Sequence, residues 1–162
     1  MSFAKGNRKD NKHYWLTPPE LFDKLNKEFE FDFDPCPYPK PDDFDGLQAD
    51  WGESNYVNPP FNGPTAWVNK AIKEFKKGNR VVFVFPIDKW VHKFLEAGAE
   101  IRNLKDIRWY SIEDNSEGPG TGRHVACFIL DPKGFKRTND KKLNGPNEQP
   151  NKKTDTQQKL KL

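Results

Sequence analysis

The chain has 162 residues, 34% hydrophobic, 31% charged and 14% aromatic, which is enough for one domain with a real core and too little for a second. No apolar run approaches the length of a membrane span, and Met1 to His13 lack the apolar stretch of a signal peptide, so a cytoplasmic protein without membrane contact is expected. Cys36 and Cys127 are the only cysteines; they stand far apart and in no metal-ligand spacing, which points away from a disulfide framework and from a zinc site.

The net charge of +3 conceals an asymmetry. Residues 1–13 carry four Lys/Arg against one acid, residues 133–162 carry nine against three, and the stretch between carries fourteen against twenty. The expected organisation is a basic arm (1–13), a folded domain (14–134) and a basic tail without periodicity (135–162). Arms of this kind touch nucleic-acid backbones or serve as solvated tails, and composition leaves both open.

The first predicted helix runs from Thr17 to Phe29, with Thr17 as N-cap, Pro18 at the first helical position and Glu20 at the capping-box spacing. Leu21, Phe22, Leu25 and Phe29 form its apolar face. Phe31 to Asp34 alternates apolar and acidic residues and reads as a short strand ending in a carboxylate. Cys36 to Asp50 has no periodicity and reads as an irregular crossing. Asn55-Tyr56-Val57-Asn58 is a β-run that must stop at Asn58, because Pro59 and Pro60 cannot donate to a ladder. The Asn58 amide, nearby carbonyls and the Phe61 ring are thereby left in a loop that offers acceptors and a flat apolar surface. That combination suits a planar substrate with an exocyclic amino group, such as adenine.

A second helix is predicted from Asn62-Gly63-Pro64 to about Lys77, and Gly78 ends it. Arg80 to Pro86 is an unbroken apolar run, the pattern of a strand covered on both faces. Asp88 is expected to cap a third helix through Trp90, Val91, Phe94 and Leu95. Ile101 to Leu104 and Ile107 to Tyr110 read as short strands or as one bent strand, Ser111 to His124 as a long loop, and Val125 to Leu130 as the last strand. The order of elements predicts an α/β domain whose crossovers give a mostly parallel sheet with helices on both faces and an antiparallel strand pair at the C-terminal end. Ligands on such sheets sit at the carboxyl ends of the strands, where Asp34 and Asn58 both fall.

Three segments now stand in one order: Thr17-Pro18-Pro19-Glu20, Asp34-Pro35-Cys36-Pro37 and Asn58-Pro59-Pro60-Phe61. Over residues 14 to about 133 this resembles the amino-methyltransferases that use S-adenosylmethionine, most closely the small phage-type DNA N-6-adenine methyltransferases. The resemblance implies an abbreviated Rossmann-like fold and a site-directed, adenine-specific methyltransferase of a bacterial cell or a phage-infected host cell. It also implies a catalytic tetrad Asn58, Pro59, Pro60 and Phe61, with cofactor contacts at Thr17, Pro18, Asp34, Pro35 and Cys36. The chain departs from the wider pattern in lacking Gly-x-Gly after Asp34 and in giving Asp42, Asp43, Asp45 and Asp50 equal standing as ribose ligands. DNA is the expected partner, its target base flipped from the duplex. Lys89, Arg123 and His124 are the candidate nucleic-acid contacts, no metal is expected, and the protein is expected as a monomer or weak dimer. Two rival readings use the same residues: a non-catalytic nucleic-acid-binding module with a degenerate methyltransferase fold, and an amino-methyltransferase acting on RNA or on protein glutamine.

Overall fold

The computed structural model describes residues 15–111, 117–118 and 122–134, so both basic arms and most of the loop between Ser111 and His124 lie outside the described residues. The elements in chain order are β1 (Trp15–Leu16), α1 (Pro19–Phe29), β2 (Ser54–Val57), α2 (Pro64–Lys76), β3 (Arg80–Pro86), α3 (Val91–Glu96), β4 (Glu100–Lys105), β5 (Tyr110–Ser111) and β6 (Val125–Leu130). Four of the strands form one sheet in the order β2-β3-β6-β4, and β1 pairs with β5 in a separate two-stranded ribbon.

The α/β class holds, while the expectation of a mostly parallel sheet needs correction. β2 and β3 are parallel, with Val57 opposite Phe83, but β6 is antiparallel to β3 on one side and to β4 on the other. Burial explains the placement. β3 is apolar on both faces and needs an apolar neighbour; β6 supplies six buried residues and takes the interior position. β4 carries Glu100, Arg102 and Lys105 and takes the edge, where charged side chains stay solvated. The Phe31–Asp34 segment contributes a single parallel bridge, Phe33 to Asn55, fastened by the Tyr56 N–H donating to the Phe33 carbonyl at 3.0 Å.

Alternation along β3 divides the core into two layers. Val81, Phe83 and Phe85 face α2 and α3, meeting Val68, Ala71, Trp90 and Phe94. Val82 and Val84 face α1, meeting Leu25, Phe29, Trp15 and Trp109. Helices therefore cover both faces. Burying side chains of this size contributes roughly 1.5–3 kcal/mol each, so the two layers fix the sheet and, with it, the ends of its strands.

Three local expectations give way to tertiary contacts. Thr17 does not cap α1; Pro18 occupies that position without a side-chain cap, and the Thr17 hydroxyl is hydrogen-bonded to the Tyr56 hydroxyl. Asp88 does not cap α3 through its side chain, which accepts from the Lys89 N–H at 2.7 Å, and α3 begins after Trp90. The Ile107–Tyr110 run is not a strand of its own; only Tyr110 and Ser111 pair, and their partner is β1.

The irregular crossing from Cys36 to Asp50 is anchored rather than loose. Trp51 Nε1 donates to the Gly46 carbonyl at 2.8 Å, and a Cβ at Gly46 would stand 1.9 Å from the Pro35 carbonyl oxygen. Gly46→Ala must push this crossing off the turn that follows Asp34. It should cost about 1–3 kcal/mol, read as a lower denaturation midpoint, and an unchanged midpoint would show that the crossing gives way freely.

Candidate active site

Because the Phe33 bridge and β2 run in the same direction, their following residues emerge on one side of the sheet. Asp34 and Asn58 consequently line one cleft of about 280 Å³, together with Trp15, Thr17, Cys36, Tyr56 and Pro59. This is near the lower end of the size range of small-molecule sites. Leu16, Pro19, Phe22, Asp23 and Tyr38 complete its lining.

Asn58 is held from one side only. Its Nδ2 donates to the Trp15 backbone carbonyl at 2.7 Å, and this bond determines which amide atom is which, since a carbonyl accepts only from the nitrogen. Oδ1 is buried with no hydrogen-bond partner among the described residues. An unpaired buried acceptor costs about 1–3 kcal/mol, and such exceptions concentrate where a ligand completes the bonding.

Asp34 accepts the Cys36 N–H at 2.8 Å, which closes a turn around its carboxylate. Burial pushes its carboxyl up to about 6, against the lowering effect of that N–H. A carboxylate confined in this way favours a cationic ligand, which would hold it ionised. Burial likewise raises the Cys36 thiol and the Tyr56 phenol well above their ordinary values, so both enter the cleft neutral.

The cleft brings together Thr17, Asp34, Cys36, Asn58 and Pro59. Pro18 lies outside it at the start of α1, and Pro35 and Pro60 line a smaller cavity beside Gly46 and Trp67. Phe61 is half-buried, its ring 5.1 Å from Phe85 and edge-to-face with Trp109 at 5.6 Å, and it packs against both core layers. Asp42, Asp43, Asp45 and Asp50 all stay away from the cleft, and the acid that joins Asp34 there is Asp23 of α1. Among the described residues, no group of three or more His, Cys, Asp or Glu side chains is placed to hold a metal ion.

Lys89, Arg123 and His124 gather where β3 ends and β6 begins, at the same edge of the sheet as Asn58. Arg123 pairs with Asp88 at 3.2 Å, the His124 carbonyl accepts the Ile87 N–H at 3.0 Å, and the His124 ring meets Asn103 at 3.2 Å. All three are exposed.

The family model of DNA N-6-adenine-methyltransferase (Dam) matches residues 5–141. The chain belongs to that family. Membership implies a DNA adenine methyltransferase activity, and the match reaches beyond residues 14–133 into both basic arms. Comparison with curated proteins and with solved structures gives no match. Trp15 is the participant that the residue pattern did not signal: its contribution is a backbone carbonyl, and the only local hint is the apolar Trp15-Leu16 pair before Thr17. No helix among the described residues is long and apolar enough to cross a membrane.

Proposed function

We propose that the protein transfers a methyl group from S-adenosylmethionine to the exocyclic amino group of adenine in DNA. The observation that carries this reading is the Asn58 Oδ1, a buried acceptor without a partner, on an amide whose other end is fixed. The cofactor suits the residues present: a confined carboxylate at Asp34 for a cationic group, aromatic walls at Trp15, Phe22, Tyr38 and Tyr56, and a polar terminus at Asn58. When bound, it supplies an electrophilic methyl on a positively charged sulfur.

An adenine amino group is a weak nucleophile because its lone pair is drawn into the ring. Asn58 Oδ1 and the Pro59 carbonyl would accept its two N–H bonds and concentrate the lone pair on nitrogen. Held in this way, the amino nitrogen would present its lone pair to the methyl donor and would release one proton to solvent on methylation. The residues contribute orientation and electrostatics, worth several powers of ten in related settings. Reaching the amino group requires the base to leave the duplex at a cost of a few kcal/mol. Stacking on Phe61 and phosphate contacts from Lys89, Arg123 and His124 would offset part of it.

Incubation with labelled S-adenosylmethionine and unmodified DNA, RNA or protein, followed by nucleoside and amino-acid analysis, tests the reading. Label in N6-methyladenine from DNA is the expected result. Label confined to RNA or glutamine would reassign the substrate, and absence of both transfer and cofactor binding would indicate a binding module. Removing both charges with Lys89→Ala and Arg123→Ala should weaken DNA binding about equally across sequences and flatten its salt dependence by about two charges' worth. Fluorescence anisotropy at several salt concentrations reads this, and an unchanged slope would exclude both side chains from the phosphate contacts.

A further inference from the structure

We infer that the Trp15 backbone carbonyl is a positioning group for Asn58, so that the β1–β5 ribbon belongs to the catalytic machinery rather than merely covering it. The inference rests on the proposed role of Asn58 as acceptor for the substrate amino group. An Asn side chain has two ends of opposite character and nearly equal shape. Rotated by half a turn, it would present N–H groups to an amino group that needs an acceptor. The bond from Nδ2 to the Trp15 carbonyl, at 2.7 Å, removes that ambiguity.

The ribbon holds that carbonyl in place from several directions. Trp15 pairs with Ser111 and Leu16 with Tyr110, and Tyr110 in turn bridges to Glu117. The Gly118 N–H donates to the Trp109 carbonyl at 2.7 Å. Gly118 also leaves room for the Trp15 indole, because a Cβ there would stand 2.6 Å from Trp15 Cζ3 and 2.8 Å from the Trp109 carbonyl oxygen. On the other side, Thr17 is tied to Tyr56 of β2, one residue from the end of the strand that delivers Asn58. The segment that enters the domain and the segment that leads into the loop after Ser111 thus meet at the atom that orients the amide.

This arrangement gives Asn58→Asp a distinctive pH behaviour. An ionised carboxylate would put an acceptor against the Trp15 carbonyl, two oxygens facing each other with no proton between them. The protonated carboxyl can donate to Trp15 and still offer its carbonyl oxygen to the substrate, as the amide does. Transfer by Asn58→Asp, relative to wild type at each pH, should therefore be highest at low pH and fall at least tenfold as the introduced carboxyl ionises. Asp23, Asp34, Cys36, Tyr38 and Tyr56 are the titratable groups on the same cleft. Wild type carries all of them, so the ratio of variant to wild-type rate cancels what they contribute on their own and leaves the introduced carboxyl together with its coupling to Asp34.

The experiment is single-turnover methyl transfer from pH 5 to 9 for wild type, Asn58→Asp and Gly118→Ala, with cofactor affinity measured alongside. A ratio for Asn58→Asp that falls with rising pH supports the inference. A ratio that is flat, or that rises with pH, overturns it, because a carboxylate then serves as well as an amide and nothing requires a donor toward Trp15. Gly118→Ala, whose added Cβ would press on the Trp15 indole and on the Trp109 carbonyl, should shift Trp15 and lower kcat at least tenfold with cofactor affinity retained. An unchanged kcat in that variant would count against the ribbon. Wild type that transfers no methyl group to any substrate would instead overturn the proposed function itself, a result distinct from either variant's behaviour.

Discussion

Asn58→Ala should abolish methyl transfer, by a factor of about 10²–10³ or more, while leaving the fold and the affinity for S-adenosylmethionine near wild type. The side chain lies beyond the last paired residue of β2 and belongs to neither core layer, so its truncation removes no packing on which the sheet depends. It does remove a buried side-chain acceptor that has no partner among the described residues. Single-turnover rates with calorimetric titration of the cofactor separate the two effects. Transfer at the wild-type rate would exclude Asn58 from the reaction, and a collapse of the thermal transition would show that the Trp15 contact is a support of the fold.

Asp34→Asn should make the protein more stable and a poorer binder at the same time. Burial raises the pKa of Asp34 in the folded protein from the ordinary 3.8 to about 6. The folded protein therefore binds more protons than the unfolded chain between those limits. The penalty for the buried carboxylate is absent below about pH 4 and complete above about pH 6. Removing the charge should return on the order of 2–3 kcal/mol above pH 6 and nothing below pH 4, visible as a melting-temperature gain that vanishes on acidification. Affinity for the cationic cofactor has the matching sign. In wild type it should fall as the pH drops through about 6, and in Asp34→Asn it should be weaker at pH 8 and indifferent to that transition. Equal affinity in the two proteins at pH 8 would remove Asp34 from the cofactor site.

The two effects share one cause. A carboxylate that is costly to the empty fold has a ready use for a positive ligand, and sites of function are where such costs are retained.

Local pattern revealed those parts of the fold that burial alone decides. β3 and β6 are apolar without interruption, and α2 carries a stripe bounded by Gly63-Pro64 and Gly78, so their limits could be read to within a residue or two. The neighbours of β6 could not be read this way, because Val125 to Leu130 would fit equally against any apolar strand. Its position between β3 and β4 follows from the charges on β4, a comparison between distant segments. The same holds at the site. Asn58 and Asp34 were legible because prolines follow them directly, whereas the Trp15 carbonyl has no side-chain signature and the Thr17 hydroxyl fits a capping pattern that Tyr56 overrides. Phe61 was legible as an aromatic beside the tetrad, but its contacts with Phe85 and Trp109 depend on how two layers meet.

The one-residue bridge at Phe33 has a consequence for self-association. An exposed sheet edge templates further strands only if it offers a run of unpaired backbone groups. On the β2 side that edge is covered by a bridge of a single residue, after which the chain turns away through Pro35 and Pro37. On the opposite side, β4 shows an irregular register between Asn103 and Lys105, and Lys105 lies at a φ of 63°. Among the described residues both borders of this small sheet are interrupted, one by a single-residue bridge and the other by a bent register, a pattern that works against edge-to-edge pairing with another copy.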